Sequence, residues 1–178
     1  MKTLRNVLPL LALAALSAAG CFLISGQFVV DYALPTPLVV ASGATLTGAS
    51  VDLNTISDYK DHKDDLKRVD DLALVGEFKN TSGATANVEA WIVPAGGLNL
   101  TLAQVQSSGV KLWGPLAVAA GATQKVDWNR SATLFVGRQK LIDEIKGDGQ
   151  FSLYIIASGT FALTITHGAI IAVIAAAK

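Results

Sequence analysis

Apolar and polar residues alternate over short stretches for most of this chain, and Gly, Pro, Ser and Asn punctuate the stretches. Alternation with a period of two predicts strands over 26–33, 38–41, 44–53, 72–80, 85–93, 98–105, 110–113, 124–129, 151–158 and 161–176. Three inward faces can be read directly: Leu72, Leu74 and Phe78; Val88, Ala90 and Ile92; Phe151, Leu153 and Ile155. Many short strands at intervals of about 8 to 12 residues predict a mainly β protein, an antiparallel β-sandwich of jelly-roll or Ig-like type. Ser-Gly pairs begin at Ser25, Ser42, Ser82, Ser108 and Ser158, and they read as turn chemistry rather than as reactive serines. Gly-Ala-Thr recurs at Gly43, Gly83 and Gly121. Nothing between the copies repeats as a solenoid or propeller requires, so the triplet reads as a reused turn.

Two segments follow a helical period instead and predict two short accessory helices. Over 57–71, ten of fifteen residues are charged, with Tyr59, Leu66 and Val69 as a thin apolar stripe beside His62. Lys60 with Asp64, Asp64 with Arg68, and Lys67 with Asp71 are spaced to pair on a helix surface. Over 135–146, Leu134, Arg138, Leu141, Ile142 and Ile145 share a face, and Gly147 supplies a stop.

The first residues carry a different pattern. Lys2 and Arg5 precede an apolar run over 7–15, and the run closes on Leu16-Ser17-Ala18-Ala19-Gly20-Cys21. This arrangement resembles the signal peptide and lipobox of bacterial lipoproteins, with Ala18 standing where that family usually has a larger aliphatic residue. The resemblance covers residues 1–21 only. It implies cleavage before Cys21, lipidation of Cys21 and, with Phe22 rather than Asp following in a Gram-negative host, an outer-membrane destination. The implied organisation is a signal peptide over 1–20, a lipidated N-terminus and short tether over 21–25, and a sandwich domain over 26–178. Ordinary secretory cleavage after Ala19, giving a secreted or periplasmic protein, and retention of 7–24 as an anchor are the competing readings.

Composition narrows the chemistry. Cys21 is the single cysteine, so its lipidation leaves no thiol for disulfides, thiolate metal sites or nucleophilic catalysis. Removal of the leader leaves 12 basic and 14 acidic residues in 158, a formal charge of −2. No basic field exists to attract nucleic acid. No cofactor motif is present, and no Gly-x-Ser-x-Gly, His-Glu-x-x-His or Ser-x-x-Lys motif occurs.

Four constellations invite a functional reading. Asp58, Asp61 and Asp65 lie around His62, but the calcium-loop Gly and closing Glu are missing and four cations intersperse, so a solvated, ion-paired face is expected and no metal site. His167, in an apolar strand, reads as a buried or edge histidine satisfied by a backbone carbonyl. Glu77 and Glu89 fall on adjacent predicted strands and suggest a glycosidase-like carboxylate pair, although both sit opposite inward residues. Trp91, Trp113 and Trp128 lie near predicted strand ends and are candidate ligand-binding rings for a carbohydrate. The uninterrupted apolar run over 168–177 is too short to span a bilayer as a helix and predicts a central strand covered on both faces. The expected function is that of a noncatalytic, lipid-anchored structural or interaction module of the bacterial cell envelope, whose partner would be an envelope protein or polysaccharide. A carbohydrate-binding module using the tryptophans and a hydrolase with unrecognised carboxylates are the alternatives.

Overall fold

The computed structural model describes residues 26–40, 45–94, 98–158 and 162–177. The leader, Cys21 and the tether lie outside the described residues, as do Ser25, the Ser42-Gly43 turn with its Gly-Ala-Thr copy, Gly159, and the strand-end positions Ala41, Ala44 and Phe161. In chain order the elements are β1 (Gly26–Ala33), β2 (Leu38–Val40), β3 (Leu46–Asp52), α1 (Ser57–His62), β4 (Leu66–Asn80), β5 (Ala86–Pro94), α2 (Leu102–Ser108), β6 (Val110–Val118), β7 (Thr123–Val126), α3 (Trp128–Ala132), α4 (Arg138–Lys146), β8 (Gln150–Ser158) and β9 (Leu163–Ala176).

Two antiparallel sheets form a sandwich-like arrangement. The first has the order β1-β9-β4-β7, with β2 also pairing β9; the second has the order β3-β8-β5-β6. β9 is therefore central, flanked by β4 along one side and by β1 then β2 along the other. The predicted inward sets all point into the core: Leu72, Leu74, Phe78, Val88, Ala90, Ile92, Phe151, Leu153 and Ile155 are each 1% exposed or less. They meet Val30, Val51, Leu163, Ile165, Ile170 and Ile174 in one continuous hydrophobic cluster. Burying each such side chain contributes about 1.5–3 kcal/mol relative to leaving it in water.

Backbone irregularities explain where the simple alternation fails. Inward residues of β9 change from the odd positions Leu163 and Ile165 to the even positions Ile170, Ala172 and Ile174. His167 lies between them with φ 52°. The pairing with β4 shifts at the same level, between Val75 and Glu77. Further shifts occur between Leu66 and Arg68 and between Val69 and Asp71. An extra residue in a strand flips the side chains that follow to the other face.

Those shifts correct the predicted 57–71 helix. Only Ser57–His62 is α-helical, Lys63–Asp65 is a single 3-10 turn, and Leu66 begins a strand of 15 residues. The spacing of Leu66 from Val69 imitates a helical stripe because a bulge separates them. The predicted i,i+4 pairs of Arg68 and Asp71 give way to Arg68 with Asp70 and Arg138 with Asp71. Two further corrections concern strands. The predicted 98–105 strand is a loop followed by α2, capped by Thr101 and Gln104, whose side chains each bond the other residue's backbone N–H. The predicted 124–129 strand ends at Val126, where the Asp127 side chain accepts from Arg130 N and caps α3. Among the described residues, four short α-helices thus accompany the sheets where two helices were predicted.

The helices close the sandwich. Leu141 and Ile145 of α4 are fully buried in the main core. Tyr59 of α1 is also fully buried and donates its hydroxyl to the Ile145 carbonyl at 2.8 Å. Burial, then the nearby Asp148 and Asp52 carboxylates, push the Tyr59 phenol up to about 12. Gly149, with φ 74°, passes so close to this ring that a Cβ there would collide with the hydroxyl.

Candidate functional site

The three tryptophans occupy three separate environments. Trp113 is completely buried between the sheets, stacked on Phe78 with centroids 5.7 Å apart, and its Nε1 donates to Ser131 Oγ at 3.3 Å. It offers no face to a ligand. Trp91 is half-buried on the outer face of the second sheet, and Trp128 is half-buried at the start of α3. The structure therefore forms no row of rings.

Trp91 belongs to a small polar group. Its Nε1 donates to Glu89 Oε2 at 3.1 Å, and Lys111 Nζ donates to Glu89 Oε1 at 2.5 Å. Partial burial acts to raise the Glu89 carboxyl, but the hydrogen bonds from Lys111 and Trp91 and the Lys111 charge outweigh it and leave the group below its usual range. Beside this group, Val93, Tyr154, Ile156 and Val105 make a second apolar cluster, against which Trp91, Leu46, Leu100 and Leu102 pack. The Tyr154 ring lies over Gly48, where a Cβ would approach it to 2.8 Å. Residues 98–108 thus cover the outer face of the second sheet.

At the edge of the first sheet, Asp71 accepts from Trp128 Nε1 at 3.0 Å and faces Arg138 at 3.6 Å. Ser131 Oγ takes the Leu74 N–H at 2.7 Å, and Arg138 Nη2 donates to the Asp70 carbonyl at 2.8 Å. These contacts cap a stretch of β4 that β7 does not reach, since β7 pairs only with residues 76–79. Trp128 and Arg138 therefore have a structural role at this edge.

The remaining sequence candidates disperse. Glu77 is on β4 and Glu89 on β5, strands of different sheets rather than neighbours, so the predicted carboxylate pair is not formed. Each alternates with buried residues of its own strand, which directs the two carboxylates to opposite outer faces. His167 is not buried: its side chain is 80% exposed at the β9 bulge, 3.9 Å from Glu77 Oε2. His62 Nδ1 lies 2.9 Å from the Asp58 carbonyl, and its ring meets Phe28 at 5.2 Å. Among the described residues, no group of three or more His, Cys, Asp or Glu side chains is placed to hold a metal ion.

Two features escaped the sequence reading. A shallow cavity of about 380 Å³ is lined by Gln27, Lys67, Arg68 and Ala175 to Ala177, next to the first described residue of the domain. Two of its lining residues bond Asp70: Arg68, and Gln27, whose Nε2 donates to it at 2.7 Å. The Arg68 hydrogen bond holds the Asp70 carboxyl below its usual range.

The second feature is an uncovered apolar face. β9 is central as predicted, but cover on both faces is not what the structure has. On its outer row Ala169, Ile171 and Val173 are only half-buried, and the paired Val29 of β1 is 55% exposed. Alternation in a period of two would have placed these residues together, had the inner row been identified first. Among the described residues, no helix is long and apolar enough to cross a membrane. Comparison of the chain with family models, curated proteins and solved structures gives no match.

Proposed function

We propose that this protein is an exported, lipid-anchored module of the bacterial cell envelope, which works by holding a β-rich domain at the membrane and offering its surfaces to other envelope components. The observation that carries this reading is the sequence Leu16 to Cys21 at the end of a basic and apolar leader, placed five residues before the first strand at Gly26. A tether of that length spans at most about 17 Å, which leaves the domain close to the lipid. The several acyl chains of a bacterial lipoprotein cysteine hold a protein durably, whereas one chain binds only marginally.

A noncatalytic role is supported by the scatter of the candidate groups. The two glutamates are on different sheets, and among the described residues His167 contacts Glu77 while His62 bonds the Asp58 carbonyl. Expression of the precursor in a Gram-negative host, with and without Cys21→Ser, tests the reading by fractionation. Wild type should sediment with outer-membrane vesicles and label with palmitate, and the variant should do neither. Wild type in the soluble periplasmic fraction would reject the anchor.

A further inference from the structure

The two sheets differ in what lies over them. Residues 98–108 pack on the outer face of the second sheet, so Tyr154 and Ile156 there are at most 7% exposed. The outer face of the first sheet has no such cover from the described residues around β1 and β9. Its outward row on β9 reads Ala169, Ile171 and Val173, paired across β1 with Ala33, Asp31 and Val29; the next position, Ala175, pairs with Gln27 and is buried. On the other side β4 adds the half-buried Val75 opposite Ala169, whereas Ala73, opposite Ile171, is fully buried.

The aliphatic side chains Val29, Ile171, Val173 and Val75 lie in one half of this face. Toward the far end of β9 the outward positions become Thr166, His167 and Thr164, with Glu77 and Lys79 on β4 and Val39 on β2. The apolar half is the half that contains Gly26, where the tether joins. From Ala169 to Val173 the row extends about 13 Å at the ordinary strand rise, within the reach of the five-residue tether. Three carboxylates border it: Asp31 is exposed on the outer edge strand, Asp70 is bonded by Gln27 and Arg68 at the tether end, and Asp71 is engaged by Trp128 and Arg138. Trp128 thus stands beside the row with its indole N–H bonded to a polar group, the amphipathic disposition that suits a membrane interface.

From these positions we infer that the outer face of the first sheet, centred on Val29, Ile171 and Val173, docks on the surface of the lipid bilayer that holds Cys21. The domain then lies on the membrane with β1 and β9 against it, and the second sheet, with the Glu89, Trp91 and Lys111 group, faces away toward envelope partners. This inference rests on the lipid anchor proposed above. A second copy of the chain is the competing occupant, and the experiment separates the two.

Lipidation consumes the only natural thiol, so Val29→Cys in the full lipidated chain can be labelled at one position with an environment-sensitive nitrobenzoxadiazole dye. Val110→Cys, on the second sheet and 41% exposed in the wild-type residue, serves as the control. Both proteins are reconstituted in phosphatidylethanolamine and phosphatidylglycerol vesicles, with and without lipids brominated in the acyl chain. The expected result is blue-shifted emission at position 29 that brominated lipid quenches, and unshifted, unquenched emission at position 110. Vesicle-bound protein with equally hydrated dyes at both positions would overturn the docking face while leaving the anchor in place. A dye at position 29 that is shielded but unquenched, in a protein that cross-links as a dimer, would assign the face to a second copy. A chain whose Cys21 carries no acyl group would overturn the anchor and the docking face together.

Discussion

Replacing Asn80 should be among the most damaging polar substitutions in the domain. Asn80 ends β4, in the first sheet, and is fully buried. Its Nδ2 donates to the carbonyls of Ala84, Val118 and Ala119 at 2.7, 3.0 and 3.3 Å. Its Oδ1 accepts from the Ser82 N–H at 3.0 Å and from Ser82 Oγ at 2.7 Å. Val118 is the last residue of β6, so one amide ties the end of the first sheet to the edge strand of the second. A neutral hydrogen bond contributes about 1 kcal/mol net, and a buried group left without a partner costs about 1–3 kcal/mol. Asn80→Ala removes all five contacts and strands a buried carbonyl, so we expect a loss of about 3–5 kcal/mol. Typical domains have a total stability of about 5–15 kcal/mol, so this is a large share. Asn80→Asp keeps the oxygen facing Ser82 but sets a carboxylate against three carbonyls, and should be at least as damaging at neutral pH. Guanidinium unfolding followed by tryptophan emission reads both variants. A loss below about 1 kcal/mol for Asn80→Ala would mean that the amide does not couple the sheets, and the reasoning fails.

Other consequences can be read on the same purified domain. Ser131→Ala withdraws the acceptor of two buried donors, Leu74 N–H and Trp113 Nε1, and should cost about 2–4 kcal/mol in denaturant unfolding; an unchanged midpoint would deny Ser131 its role at the β4 edge. The Tyr59 phenol is raised to about 12 in the fold, so its contribution is complete below the unfolded value near 10 and is lost as pH rises from there through 12. Wild type should accordingly lose more stability than Tyr59→Phe over that alkaline range, and parallel curves would contradict the assignment. Asp52, Asp70 and Glu89 are all held low, so their contributions are present above the usual carboxylate range and disappear as pH falls through it. Lys111→Ala should cost about 0.5–1 kcal/mol near neutral pH and less in acid, where Glu89 is protonated; a deficit that grows on acidification would count against the Glu89 and Lys111 pairing.

Much of the fold was legible because buried strands record their faces in the sequence. Leu72, Leu74 and Phe78, or Val88, Ala90 and Ile92, alternate without interruption and lie in the core as read. Legibility ended where the backbone breaks its own period. The bulges near Leu66 and Val69 turn a strand into an apparent helical stripe, and the one at His167 reverses which residues of β9 face inward. At 98–105 the alternation of Leu98, Leu100 and Leu102 outweighed a capping box that was present at Thr101 and Gln104. The candidate sites were less legible for a different reason: pairing Glu77 with Glu89, or lining up three indoles, depends on which strands share a sheet. β4 and β5 follow each other in the chain but enter different sheets, and that is a property of the whole topology.

The lipid proposed on Cys21 would fix the domain at a membrane. Intact-mass measurement of the protein extracted from membranes tests it directly. Lipidation of Cys21 requires a chain that begins at Cys21, lacks residues 1–20 and carries several acyl groups; an unmodified Cys21 thiol, on an intact leader or after cleavage elsewhere, would contradict it.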